Sequence, residues 1–136
     1  MASILVVDDD RLLRLLFARV LGQLGHEVTA IDNGYRALRH LAETPVDLVI
    51  TDIMMPDMDG LELIRQVRTG WPKIKILAAS AGSAIVGTNY LRAAQRFGAD
   101  ATLKKPCTGD EIAAAVNRLL AAGTAPEPSP AASPAA

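Results

Sequence analysis

Short, uninterrupted apolar runs alternate five times with stretches of helical period along this chain, and few architectures accommodate that rhythm. The first run is "ILVV" at 4–7, followed by "RLLRLLFARVLGQL" with apolar residues at 13, 16, 17, 20, 21 and 24, one face of a helix. "EVTAI" (27–31) then reads as a strand and "GYRALRHLAET" as a helix. "DLVIT" (47–51) is a third strand, and "GLELIRQVRTG" puts 61, 64 and 67 on one helical face. "KILAAS" (75–80) is the fourth, with a helix expected within 87–97, and "ATLK" (101–104) is a short fifth. The last helix, "GDEIAAAVNRLLAA", buries 112, 116, 119 and 120. Continuously apolar strands separated by helices imply a parallel sheet covered on both faces, an α/β doubly wound five-stranded fold.

With 136 residues the chain is long enough for one domain, which the pattern assigns to 3–121. From 122 to 136 the composition changes to Pro, Ala and Ser with one charge and no large apolar residue. That segment buries too little surface to offset its ordering entropy and is expected to be a disordered tail, with no output domain after it. Only five residues are aromatic, so the core is aliphatic. Fourteen basic and fifteen acidic residues, with no dense Lys/Arg run, argue against general nucleic-acid binding. One cysteine, Cys107, excludes an intramolecular disulfide and a multi-Cys zinc site. "MASILVVDDD" turns acidic before a signal peptide could develop, and no apolar run approaches a membrane span. The expectation is a cytoplasmic domain with no membrane contact.

In open parallel sheets ligands bind beyond the carboxyl ends of the strands, where strand order reverses. Asp8, Asp9 and Asp10 follow the first strand, Asp52 ends the third, Ser80 ends the fourth, and Lys104 and Lys105 end the fifth. With strand order 2-1-3-4-5, the first and third strands are neighbours and their acids meet at one edge. Clustered carboxylates repel, so the group should take up a proton or a cation. Hard oxygen donors with room for water suit Mg²⁺. A carboxylate beside Mg²⁺ can attack phosphorus, while a lysine and a hydroxyl stabilise the phosphoryl oxygens. Successive strand residues face opposite ways, so one of the two lysines reaches the site, and the adjacent Pro106 favours Lys105.

"ILVVDDD", "TDIMMPDMDG", "ILAAS" and "LKKP" stand in order, with separations of 43 (Asp9 to Asp52), 28 (Asp52 to Ser80) and 25 (Ser80 to Lys105) residues. In these stretches the chain resembles the CheY-like receiver domain of bacterial response regulators, a flavodoxin-like fold. The resemblance implies Asp52 as phosphoacceptor, Asp9 as a direct Mg²⁺ ligand, Asp8 as a ligand mainly through water, and the Met54 carbonyl as a further ligand. Ser80 is implied as the switch hydroxyl and Lys105 as the phosphate-binding lysine, its peptide to Pro106 typically cis. Asp57 and Asp59 then shape the loop, with Asp59 capping the third helix. The implied function is that of a single-domain response regulator of a two-component phosphorelay. It is not an enzyme beyond its own phosphorylation and dephosphorylation. A sensor histidine kinase or histidine phosphotransfer protein supplies the phosphoryl group, and output passes to a protein target, not to nucleic acid. The chain is expected to be a monomer or a weak phosphorylation-dependent dimer.

Three departures from the family pattern stand out. Thr102 occupies the usual aromatic switch position, Cys107 follows Pro106 where a large residue is common, and the 80–90 connection is long and Gly/Ser-rich, a mobile loop by its composition. Thr102 leaves open a phosphorylation-independent pseudo-receiver. A haloacid dehalogenase type phosphatase fits less well, since Asp52 is followed by Ile53 and Met54 with no second acid. Neither Met54 nor Gly82 offers a group to position hydrolytic water, so slow autodephosphorylation is expected. The remaining features read as structural: Met54, Met55 and Met58 as loop and core packing, His40 as an exposed helix residue, His26 as a turn residue, Cys107 as a small packing residue and Trp71-Pro72 as a loop wedge.

Overall fold

Residues 1–80 and 92–123 are described in the computed structural model, and they form a single five-stranded parallel sheet with helices on both faces. In chain order the elements are β1 (Ser3–Val7), α1 (Arg11–Gln23), β2 (Glu27–Ile31), α2 (Gly34–Glu43), β3 (Leu48–Asp52), α3 (Gly60–Gly70) and β4 (Lys75–Ser80). They continue with α4 (helical at 92–97), β5 (Ala101–Lys104) and α5 (Gly109–Gly123). Strand order is β2-β1-β3-β4-β5, so the chain reverses direction across the sheet between β1 and β3.

Alternation along each strand divides the core. Leu5, Val7, Val49, Ile76 and Ala78 face α2, α3 and α4, where Ala37, Leu41, Ile64, Val67 and Ala94 meet them. Ile4, Val6, Leu48, Ile50 and Leu77 face α1 and α5, against Phe17, Leu21, Ile112 and Val116. A strand buried on both faces needs no polar alternation, which is why β1 and β3 read as unbroken apolar runs. The edge strands β2 and β5 are covered less completely.

Helix starts follow local chemistry. Asp10 accepts from Leu12 and Leu13 N–H, Asn33 from Arg36 N–H, and Asp59 from Glu62 N–H. Before α5 a reciprocal capping box closes: Thr108 N–H donates to Glu111 Oε1 at 2.8 Å, and Glu111 N–H donates to Thr108 Oγ1 at 3.1 Å.

At the amino ends of β4 and β5, the Arg68 guanidinium uses all five of its N–H groups. Nε and Nη2 donate to the Gly98 carbonyl, Nη2 also to Asp100 Oδ2, and Nη1 to the Pro72 and Ile74 carbonyls. Asp100 in turn accepts from Ile76 N–H at 2.8 Å.

Three sequence expectations shift. Helix α5 runs to Gly123, two residues into the segment assigned to the tail, because its alanines continue the helix until Gly123. Leu24 is not on the buried face of α1: it is the C-cap residue and stays exposed. His40 is half-buried in α2 rather than exposed. The expected loop over 80–90 lies, beyond Ser80, outside the described residues, as do the first part of the 87–97 helix and the tail beyond 123.

Candidate functional site

The register of the sheet assembles the site. Val7 pairs with Thr51 across β1 and β3, so Asp8 and Asp52, each one step further, lie side by side. Both continue the parity of Val6 and Ile50, toward the α1–α5 face. On β5, Lys104 pairs with Ser80, and its side chain is exposed while that of Lys105 is buried. The Lys105–Pro106 peptide is cis, and the Lys105 N–H donates to the Ser80 carbonyl at 2.8 Å.

Lys105 Nζ lies 2.8 Å from Asp8 Oδ2 and 3.3 Å from Asp52 Oδ1, bridging the two acids. Asp8 is 1% exposed, Asp52 7% and Lys105 8%, so this is a buried triad rather than a surface ion pair. Asp9 adds a third carboxylate, with one oxygen from each acid within 4.8 Å of the others. Asp8 and Asp52 are bound by protein, but Asp9 is exposed and makes no hydrogen bond or ion pair among the described residues. Three acids against one lysine leave an uncompensated negative charge. Hard oxygen donors with one arm open to solvent are a donor set compatible with Mg²⁺.

Burial pushes the Asp52 carboxyl above the usual carboxylate range; Lys105 pulls it down and the like charge of Asp8 pushes it up, and the balance stays upward. For Lys105, burial alone would depress the ammonium. The hydrogen bond and charge of Asp8, with the charge of Asp52, outweigh that and hold it above the ordinary lysine value.

The backbone around the acids is pinned from several sides. Asp8 N–H donates to the Ile31 carbonyl at 3.1 Å, Asp10 N–H to Asp8 Oδ1 at 2.9 Å, and Arg14 Nη1 to the Asp8 carbonyl at 2.7 Å. After β3, Met54 N–H reaches Asp52 Oδ1 at 3.4 Å, and Thr51 Oγ1 donates to the Asp52 carbonyl at 2.9 Å. Gly60, the first residue of α3, abuts the same peptide: a Cβ there would lie 2.0 Å from the Asp52 carbonyl oxygen. Only glycine permits that approach.

Of the residues singled out in the sequence, Asp8, Asp9, Asp52 and Lys105 come together. Ser80 is fully buried at the end of the neighbouring strand, and Met54 follows Asp52 with a half-exposed side chain. Asp10 and Asp59 are helix caps, and Asp57 is a loop residue with φ 68°. Thr102 pairs with Ala78 and is half-buried. Gly82 lies outside the described residues. Sequence reading missed Arg14, Thr51 and Gly60. Gly60 was legible only as a turn glycine, and nothing local marks the other two.

A family model, the response regulator receiver domain, matches residues 4–117. The DNA-binding transcriptional regulator NtrC of Azospirillum brasilense is 38% identical over 130 residues, 96% of this chain but 26% of that protein. The response regulator receiver protein CpdR of Brucella abortus is 39% identical over 85 residues, 62% of this chain and 71% of the relative. Among solved structures, the receiver domain of NtrX from Brucella abortus superposes with a TM-score of 0.81 at 29% identity, covering 87% of this chain and 98% of that one. No helix among the described residues is long and apolar enough to cross a membrane. The matched span takes in both strands that carry the acid cluster and the strand that delivers its lysine: this chain belongs to the response regulator receiver domain family of two-component signalling.

Proposed function

We propose that the chain is a phosphorylation switch whose acceptor is Asp52. The phosphoryl group comes from a phosphohistidine on a sensor histidine kinase or a histidine phosphotransfer protein. The observation that carries this reading is the buried Lys105 bridge to Asp8 and Asp52, with the Asp9 carboxylate, unpartnered among the described residues, beside it. A carboxylate oxygen of Asp52 attacks phosphorus; the O–P bond forms as the P–N bond breaks, and that electron pair returns to the imidazole nitrogen. Lys105 is placed to neutralise charge on the transferring group. Ser80, buried at the adjacent strand end, supplies a hydroxyl to a phosphoryl oxygen.

Asp9, Asp52 and the Met54 carbonyl would hold Mg²⁺, with Asp8 acting mainly through water. Bound there, the ion would neutralise phosphoryl oxygens and lower the repulsion among the acids. The chain catalyses only its own phosphorylation and dephosphorylation, in a cytoplasmic setting, and its output is contact with a target protein. The NtrC relative is a DNA-binding protein, but this chain spans only 26% of it. DNA binding is therefore not carried over.

Thr102, half-buried on β5 where the family pattern has an aromatic ring, favours a second reading: a pseudo-receiver that binds a partner without phosphorylation. Acetyl phosphate or phosphoramidate, and beryllofluoride as a mimic, separate the two. Intact mass should show one Mg²⁺-dependent phosphoryl group in the wild type and none in Asp52→Ala. A folded wild type that responds to no donor and to no mimic would establish the pseudo-receiver instead.

A further inference from the structure

We propose that Arg14 is a positioning residue that aims Asp9 at the metal site, an inference resting on the reading of Asp9 as a Mg²⁺ ligand. Among the described residues Asp9 is the one carboxylate of the cluster without a hydrogen-bond or ion-pair partner, so its direction is set by its backbone. The peptide that joins Asp8 to Asp9 has one hydrogen-bond partner among the described residues, Arg14 Nη1, at 2.7 Å from the Asp8 carbonyl. On either side of that peptide the chain is fixed independently. Asp8 N–H is held by Ile31, the Asp8 side chain by Lys105 and Asp10 N–H, and Asp10 by its capping of α1. Two fixed flanks with one restrained peptide between them allow a single change: rotation of the Asp8–Asp9 peptide plane. Arg14, half-buried in the first turns of α1, prevents that rotation.

The electrostatic and positional effects of removing Arg14 have opposite signs. Deleting a cation close to three acids should tighten binding of a divalent ion. Freeing the peptide that orients a ligand should weaken it, by about tenfold on the scale of lost ligand-orienting contacts. Arg14→Met exposes both effects, whereas Arg14→Lys keeps the charge and a donor.

The full chain is titrated with Mg²⁺ and with Mn²⁺ by calorimetry as wild type, Arg14→Met, Arg14→Lys and Asp9→Asn. The metal-free proteins are compared through the backbone amide resonances of Asp9 and Asp10. Expected are Mg²⁺ binding about tenfold weaker in Arg14→Met, close to wild type in Arg14→Lys, and lost in Asp9→Asn. The Asp9 amide should shift in metal-free Arg14→Met with no change in the unfolding midpoint. Unchanged or tighter binding by Arg14→Met, or an unmoved Asp9 amide, overturns the role of Arg14. A wild type that binds neither ion overturns the metal reading itself; a shifted Asp9 amide in that case shows that the peptide restraint survives without it.

Discussion

Lys105→Met removes the only cation within ion-pair distance of the Asp8 and Asp52 carboxylates among the described residues. At an effective dielectric of about 20, contacts of 2.8 and 3.3 Å correspond to gross attractions of about 6 and 5 kcal/mol. Recovering the hydration of the lysine offsets much of this, and removal of one member of a buried charge cluster leaves a net loss of about 3–5 kcal/mol. The loss should appear in urea unfolding near neutral pH with divalent ions chelated, as a lower midpoint at constant slope.

The pH dependence has a definite sign. Without the lysine, the carboxyl of Asp52, already pushed up by burial, rises further in the folded state, so the folded protein binds a proton that the unfolded chain releases. The penalty is complete above the folded Asp52 pKa and fades as pH falls toward the unfolded one. In the wild type, Lys105 is itself raised, so its stabilising contribution holds below the ordinary lysine value and is lost as pH climbs through the folded one. Asp8→Asn combined with Lys105→Met should recover part of the loss, because one of the two stranded charges is gone. A single variant within about 1 kcal/mol of wild type near neutral pH would refute the reasoning, since that is the scale of an exposed ion pair. A deficit that does not shrink on mild acidification would refute it equally.

Gly60→Ala should lower stability by about 2 kcal/mol or more even though alanine is the better helix former, because the added Cβ meets the Asp52 carbonyl at 2.0 Å and the backbone must move. A raised urea midpoint would show that the approach of α3 to β3 is not tight. Asp57, at φ 68°, should tolerate glycine with a gain of about 0.5 kcal/mol and valine with a loss of about 1–2 kcal/mol, read from thermal unfolding. A valine variant as stable as wild type would contradict the left-handed backbone there.

The apolar runs carried the fold because a doubly covered strand tolerates no polar interruption, and the bounds read for β4 and β5 agree with the structure. Asp59 was legible as a cap because capping is a local event between a side chain and an N–H two or three residues away; Asp10, read only as one of three acids after the first strand, caps α1 by the same local chemistry. Asp8, Asp9, Asp52 and Lys105 were legible because strand ends are readable and topology then fixes which ends meet. Arg14 and Arg68 were not. Each is an arginine on an amphipathic helix, indistinguishable in sequence from a solvated charge, and its meaning comes from carbonyls that only the folded chain brings within reach. The close contact of Gly60 with Asp52 is equally silent, since a glycine after aspartate reads as a turn whatever it touches.

Arg68 divides the molecule mechanically. It ties the residues after α3 to the turn after α4, at the amino ends of β4 and β5, whereas Asp52 stands at the carboxyl end of β3. Sliding α4 along its axis would pull Gly98 off two donors and Asp100 off a third, whereas tilting it about Gly98 breaks none of them. The carboxyl-terminal end of α4 is therefore an anchored point of the fold, and a reorientation of the described part of the helix that pivots there costs none of these hydrogen bonds.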